Sequence, residues 1–291
     1  LNPIPFELPS ATVPLVVMQG ELNGRAASVV LDTGYGAPFT VLISPAQAAA
    51  ASVSPGEAPA EAGIAVGAGA VTVRSATVKS FQLGDVRLID CDAGITGALD
   101  HVGQALGRPV DAMIGWSFLR SRVIRIDYPA RQVDLAAAPG PRRSAIAFAV
   151  SPKRPLITVQ VELNGRGPFT FAVDTGASAS VISHEAAKRA GMTSSAGSVT
   201  LKGAGGAAGP ATLGSASILT LGGVAREALR PVVVEFLPRI SEAAGAPLDG
   251  VVGADVLSRG RLTIDFPRSM LWLDDQKAPI PHSLEAAAIL G

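Results

Sequence analysis

The chain is written twice. Val13 to Arg25 (VPLVVMQGELNGR) returns as Arg154 to Arg166 (RPLITVQVELNGR). Asp32-Thr33-Gly34 returns as Asp174-Thr175-Gly176, and Gly107 to Gly115 (GRPVDAMIG) as Gly245 to Gly253 (GAPLDGVVG). Val123 to Leu135 (VIRIDYPARQVDL) returns as Arg261 to Leu273 (RLTIDFPRSMLWL), again about 140 residues later. The step from Gly115 to Asp127 equals that from Gly253 to Asp265. A solenoid needs at least three repeats, so two copies suit two related lobes that face each other. The stretch 136–143 (AAAPGPRR) has linker composition. Ile146 to Val150 (IAFAV) then echoes Ile4 to Leu8 (IPFEL). The expected organisation is a first lobe over 1–135, a linker over 136–143 and a second lobe over 144–291.

Within each copy the pattern is mostly β. Asn23-Gly24 and Asn164-Gly165 lie between apolar runs, and both residue types tolerate the positive φ of a tight hairpin. Each Asp-Thr-Gly triplet therefore ends the second arm of a hairpin. Short helices are expected at Pro45 to Ala51 and at Ser183 to Ala190, the latter capped by Ser183 and stopped by Gly191. Helical turns should follow Gly115 and Gly253, and Ser283 to Leu290 reads as a short capped helix. Regular strand spacing with few helices points to all-β, barrel-like lobes.

Composition narrows the partners. Basic and acidic residues are equal in number at 24 each, which argues against nucleic acid. No apolar run is long enough for a membrane-spanning helix. Cys91 is the one cysteine and reads as a small buried residue. The three histidines lack ligand spacing, so neither a metal nor a cofactor is expected.

The two aspartates carry the chemistry. A carboxylate just after a β-branched run sits at a strand end, partly buried, where a glycine turn can aim backbone N–H groups at it. One such Asp is an ordinary turn residue. Two, related by a pseudo-twofold axis, can meet. Carboxylates in contact share a proton and titrate as a pair, which sets an acid beside a base.

On these triplets, and on the apolar-pair-Gly segments Met113-Ile114-Gly115 and Val251-Val252-Gly253 that follow each, the chain resembles the retropepsin-like aspartic proteases of the pepsin and retropepsin superfamily. The resemblance is to a bacterial-type single chain with two fused repeats, and it covers most of each half. It implies an all-β fold of two pseudo-twofold-related β-barrel lobes with a few short helices. It implies Asp32 and Asp174 as catalytic residues of a peptide-bond hydrolase, with Thr33, Gly34, Thr175 and Gly176 supporting their loops. It also implies glycine-rich flaps over a peptide or protein substrate. The candidates are Gly67, Ala68 and Gly69 in the first copy and Gly203, Ala204, Gly205 and Gly206 in the second. Tyr35 and Ala177, which follow the triplets, would face substrate. The family has a small residue where Tyr35 stands, and a tyrosine there would narrow the cleft, bond substrate or block water. Neither copy has a serine directly after the triplet, and this sets an expected pH optimum of about 4–6.

Other signals have structural readings. Gly203 to Ala208 fits a degenerate dinucleotide fingerprint, but no long helix opens after it. Asp111, Asp249, Asp127 and Asp265 read as turn or strand-end residues. Arg120, Arg122 and Arg125 read as a solvated strand face. The stretches around Asp92 to Leu106 and Pro238 to Ala244 suggest no role. The leading expectation is an aspartic endopeptidase. The alternatives are an inactive peptide-binding relative and a narrow processing protease. Fusion of the copies makes a monomer the default, and a periplasmic or secreted location is expected from the leading Leu1 in place of Met.

Overall fold

The computed structural model describes residues 1–57, 61–63, 66, 71–275 and 287–289. Both Asn-Gly pairs form tight turns, with Asn23 at φ 49° and Gly24 at φ 76°, and Asn164 at φ 53° and Gly165 at φ 69°. They join Val17–Leu22 to Arg25–Leu31 and Ile157–Leu163 to Arg166–Val173. Positive φ at both turn positions matches the right-handed twist of the flanking strands.

Each triplet strand then takes a parallel neighbour from the apolar-pair-Gly segment. Arg25–Leu31 runs parallel to Ala112–Ile114, with Leu31 opposite Ile114. Ala112–Ile114 is antiparallel to Val41–Ile43, which is parallel to Val86–Ile95. The second half repeats this pattern. Arg166–Val173 is parallel to Gly250–Val252, which is antiparallel to Val181–Ser183, which is parallel to Val232–Val234. The first lobe closes into a six-stranded barrel because Val71–Leu83 pairs back onto Val17–Leu22. In the second lobe the equivalent of that long strand is split into Gly206–Gly214 and Ser217–Leu221. Only the latter returns to Ile157–Leu163.

The lobes share a central sheet. Val123–Asp127 pairs antiparallel with Gly260–Asp265, placing Ile124 opposite Ile264 and Ile126 opposite Leu262. The outward order on one side is Gln132–Asp134 and Ile4–Glu7, and on the other Met270–Asp275 and Ile146–Ala147. Ile124, Ile126, Leu262 and Ile264 are fully buried. At about 2 kcal/mol for burying each such side chain, this seam is a main source of cohesion between the lobes.

The helices at Pro45–Ala50 and His184–Arg189 form as read, with Ser44 and Ser183 accepting the N–H of Gln47 and Ala186, each at 3.1 Å. Turns follow Gly115 and Gly253 at Trp116–Leu119 and Ala254–Leu257. The segments left without a role form a matched pair of helices, Ala98–Leu106 and Leu237–Ala244, each ended by a left-handed glycine (Gly107 and Gly245, both φ 71°). The tail departs from expectation. Ala287–Ile289 is a strand parallel to Ser194–Gly203, because the open edge of that strand offers backbone partners that a short helix could not match. Arg125 and Arg261 are drawn into the central sheet. Arg125 Nε donates to Thr263 Oγ1 at 3.3 Å, and Arg261 pairs with Asp127 at 2.6 Å. Cys91 is buried, and burial pushes its thiol up to about 11. Among the described residues no helix is long and apolar enough to cross a membrane.

Candidate active site

Asp32 and Asp174 stand at the ends of the two triplet strands and are both buried. Each carboxylate is fixed by its own turn. Asp32 Oδ1 accepts the N–H groups of Gly34 at 2.7 Å and Tyr35 at 3.1 Å, and Asp174 Oδ1 accepts that of Gly176 at 2.7 Å. The glycines are required by proximity. A Cβ on Gly34 would lie 2.5 Å from the carboxyl carbon of Asp174, and one on Gly176 would lie 2.5 Å from that of Asp32. Each triplet glycine thus lies against the carboxylate of the opposite lobe.

The threonines lock this crossing. Thr33 N–H donates to Thr175 Oγ1 at 3.0 Å, and Thr175 N–H donates to Thr33 Oγ1 at 3.0 Å. Thr33 Oγ1 donates to the Val173 carbonyl at 2.8 Å, and Thr175 Oγ1 to that of Leu31 at 3.0 Å. All four bonds are buried and cross between lobes.

Burial raises the pKa of Asp32 well above its ordinary 3.8, and the charge of Asp174 raises it further. The Gly34 N–H and the Arg154 charge act the other way. Asp174 is also raised by burial, against its hydrogen bonds to Asp32, Gly176 and Ala177 and the charge of Arg154. Asp32 Oδ2 is buried and accepts no N–H or hydroxyl donor among the described residues. With both carboxyl groups buried and raised, the two titrate as a coupled pair.

The remaining described candidates lie in the following places. Gly203, Ala204 and Gly205 are buried at the tip of the hairpin formed by Ser194–Gly203 and Gly206–Gly214, with Gly203 opposite Gly206. The Gly205 N–H donates to the Val66 carbonyl at 2.9 Å. Gly67, Ala68 and Gly69 lie outside the described residues. Ala204 packs into the first lobe's cluster with Tyr35 and Leu99, while Val66 packs into the second lobe's cluster with Leu156 and Leu237. Tyr35 is buried and its hydroxyl has no partner among the described residues. Ala177 is fully buried, and its carbonyl accepts the Ala254 N–H at 2.8 Å.

Asp111 bonds Ser28, Asp249 bonds Thr170 and Arg189, and Asp265 bonds Arg268, all structural contacts as read. Two further groups escaped the sequence reading. Asp255, buried, accepts Ser180 N–H at 2.9 Å and Ser180 Oγ at 2.7 Å, and that hydroxyl accepts Gly253 N–H at 3.1 Å, bracing the loop behind Asp174. Arg154 lines a cavity of about 20 Å³ beside Gly34 and Asp174. Its signal was visible only as the one charged residue in a repeat position that holds Val13 in the first copy.

Two lobes, each with a parallel-antiparallel strand crossing that presents an aspartate to the interface, define the aspartic-protease fold. Among solved structures the chain is similar to the aspartic proteinase from Irpex lacteus, with a TM-score of 0.57 over 95% of this chain and 97% of that one. At 11% identity the likeness is one of fold. Residues 18–121 match the family model "gag-polyprotein putative aspartyl protease", and residues 159–256 match "Aspartyl protease". The chain belongs to the retropepsin-like aspartyl proteases, with one match in each half. No curated protein matches the sequence.

Proposed function

We propose that the protein is a single-chain aspartic endopeptidase in which Asp32 and Asp174 act together. The observation that carries this reading is the pair of buried carboxylates, each held by its own turn and set against the triplet glycine of the other lobe. The ionised member takes a proton from water as the water attacks the peptide carbonyl. The protonated member donates to the carbonyl oxygen, giving a neutral tetrahedral diol. Proton transfer to the nitrogen then breaks the C–N bond. Fixed N–H donors at Gly34 and Gly176 keep the dyad preorganised, so no reorganisation is needed during the step. Val66 lines the cavity at Asp174 and meets the tip at Gly205, and an extended peptide binds beneath them by strand-like hydrogen bonds. One chain supplies both aspartates, so the site is complete in a monomer.

The test is peptide-library cleavage read by mass spectrometry across about pH 3–7, wild type beside Asp32→Asn. Cuts that disappear in the variant support the reading. Cuts that persist refute the dyad assignment, and a wild type that cuts nothing at any pH refutes catalysis.

A further inference from the structure

The repeat places equivalent residues on both sides of the dyad, and at one of these positions an apolar side chain is replaced by a charged one. In the first lobe Val13, Leu15, Val30 and Met113 pack together beneath Ala204. Their equivalents in the second lobe are Arg154, Leu156, Ala172 and Val251, which line the cavity of about 20 Å³ with Val66 over them. Phe236, Leu237 and Ile240 complete its apolar wall, and Gly34 and Asp174 form the side facing the dyad. The first-lobe cluster is made of apolar side chains, and the second-lobe cavity holds the Arg154 guanidinium among apolar residues and Asp174.

The position of Arg154 is built. A Cβ on Gly36 would lie 2.9 Å from Arg154 Cγ and 2.7 Å from the Pro155 carbonyl oxygen, so the first lobe's loop clamps the arginine stem from across the interface. The guanidinium lies near enough to Asp32, Asp174 and Tyr35 to interact with all three charges or dipoles. Five N–H donors in a planar fork let an arginine keep protein contacts and bind a carboxylate as well. A carboxylate brought next to a negatively charged dyad would be repelled without a cation beside it.

We infer that Arg154 is a specificity-determining residue that selects substrates with an aspartate or glutamate side chain seated in the second-lobe pocket, next to the scissile bond. The residue on the other side of that bond meets the apolar first-lobe cluster and is apolar. The acidic side chain takes the place that Val66 now fills. This inference rests on the protease reading above and adds to it the class of peptide cut.

The test compares matched peptides with Glu or Gln at each position flanking the cut, all with blocked termini, at about pH 5.5 where glutamate is ionised. Wild type should favour Glu over Gln at one flanking position by about tenfold or more in kcat/KM, and Arg154→Met should bring that ratio to about 1. The same comparison by binding, in an Asp32→Asn background with and without Arg154→Met, needs no turnover and should give the same contrast in Kd. A wild-type ratio near 1, or a preference that survives in Arg154→Met, overturns the inference while leaving the protease reading intact. A preference seen only with free C-terminal carboxylates also overturns it, assigning the arginine to chain ends. Peptide cleavage absent altogether in wild type removes both readings together.

Discussion

Removal of the Thr175 hydroxyl is the sharpest probe of how the two lobes hold the dyad. Thr175→Val keeps the side-chain volume and β-branching. It deletes the acceptor for the Thr33 N–H and the donor to the Leu31 carbonyl. Both backbone groups stay buried, so each is left without a partner. At about 1–3 kcal/mol for each orphaned group, the loss of stability should be about 2–6 kcal/mol. Thr33→Val orphans the Thr175 N–H and the Val173 carbonyl and should cost about the same. The two threonines bond each other, so the double variant should depart from the sum of the singles by about 0.5–3 kcal/mol. Thr40→Val serves as the control. Its hydroxyl bonds Asp92 at 2.7 Å in an exposed position, where water replaces it, and the cost should stay below about 1 kcal/mol. Equilibrium urea unfolding at fixed pH gives these values, with midpoint and slope followed separately. Activity should fall together with stability in the two buried variants, because the aspartates sit one residue from the lost bonds. A Thr175→Val protein with the stability of the Thr40→Val control would refute the claim that these bonds hold the interface.

Gly34→Ala should lower kcat by about a hundredfold or more, because the new Cβ would meet the Asp174 carboxylate at 2.5 Å and force it out of place; a rate near wild type would sink this account. Asp32→Asn should make thermal stability less dependent on pH. Burial raises the folded-state pKa of Asp32 above the ordinary 3.8, so the native chain holds more protons than the unfolded one. That contribution is complete below the unfolded pKa and is lost as pH rises through the folded one. The variant should therefore gain most over wild type at neutral pH, and melting curves at about pH 3.5 and pH 7 would show it. Tyr35→Phe deletes a buried hydroxyl with no partner among the described residues, so stability should hold or rise by about 1 kcal/mol in a chemical-denaturation series. Peptide cleavage by Tyr35→Phe should persist, and its loss would give the hydroxyl a catalytic role.

Much of this was legible along the chain because the duplication doubles each local signal. The Asn-Gly turns, the serine-capped helices and the triplet strands are short-range features, and the residue types that form them act within a few positions. The paired aspartates were legible for the same reason, since symmetry makes equivalent residues meet. The two longer helices were missed because they recur in fold but not in sequence. Ala98–Leu106 and Leu237–Ala244 share little beyond the glycine that stops each. The tail strand was misread because its partner, Ser194–Gly203, is distant in the chain.

What the sequence determined by itself was therefore the unit: its strands, its turns, its Asp-Thr-Gly loop and its repetition. The tertiary structure alone decided what each unit does to the other. The glycine of one triplet lies on the carboxylate of its partner, and Ala204 and Val66 each pack into the cluster of the opposite lobe. Arg154 also gains its meaning only there. As one residue of the repeat it is a substitution for valine, and folded it is a cation whose field reaches the two triplet carboxylates. Charges separated by 122 or 20 residues along the chain interact strongly only once folding brings them together in a medium of low dielectric.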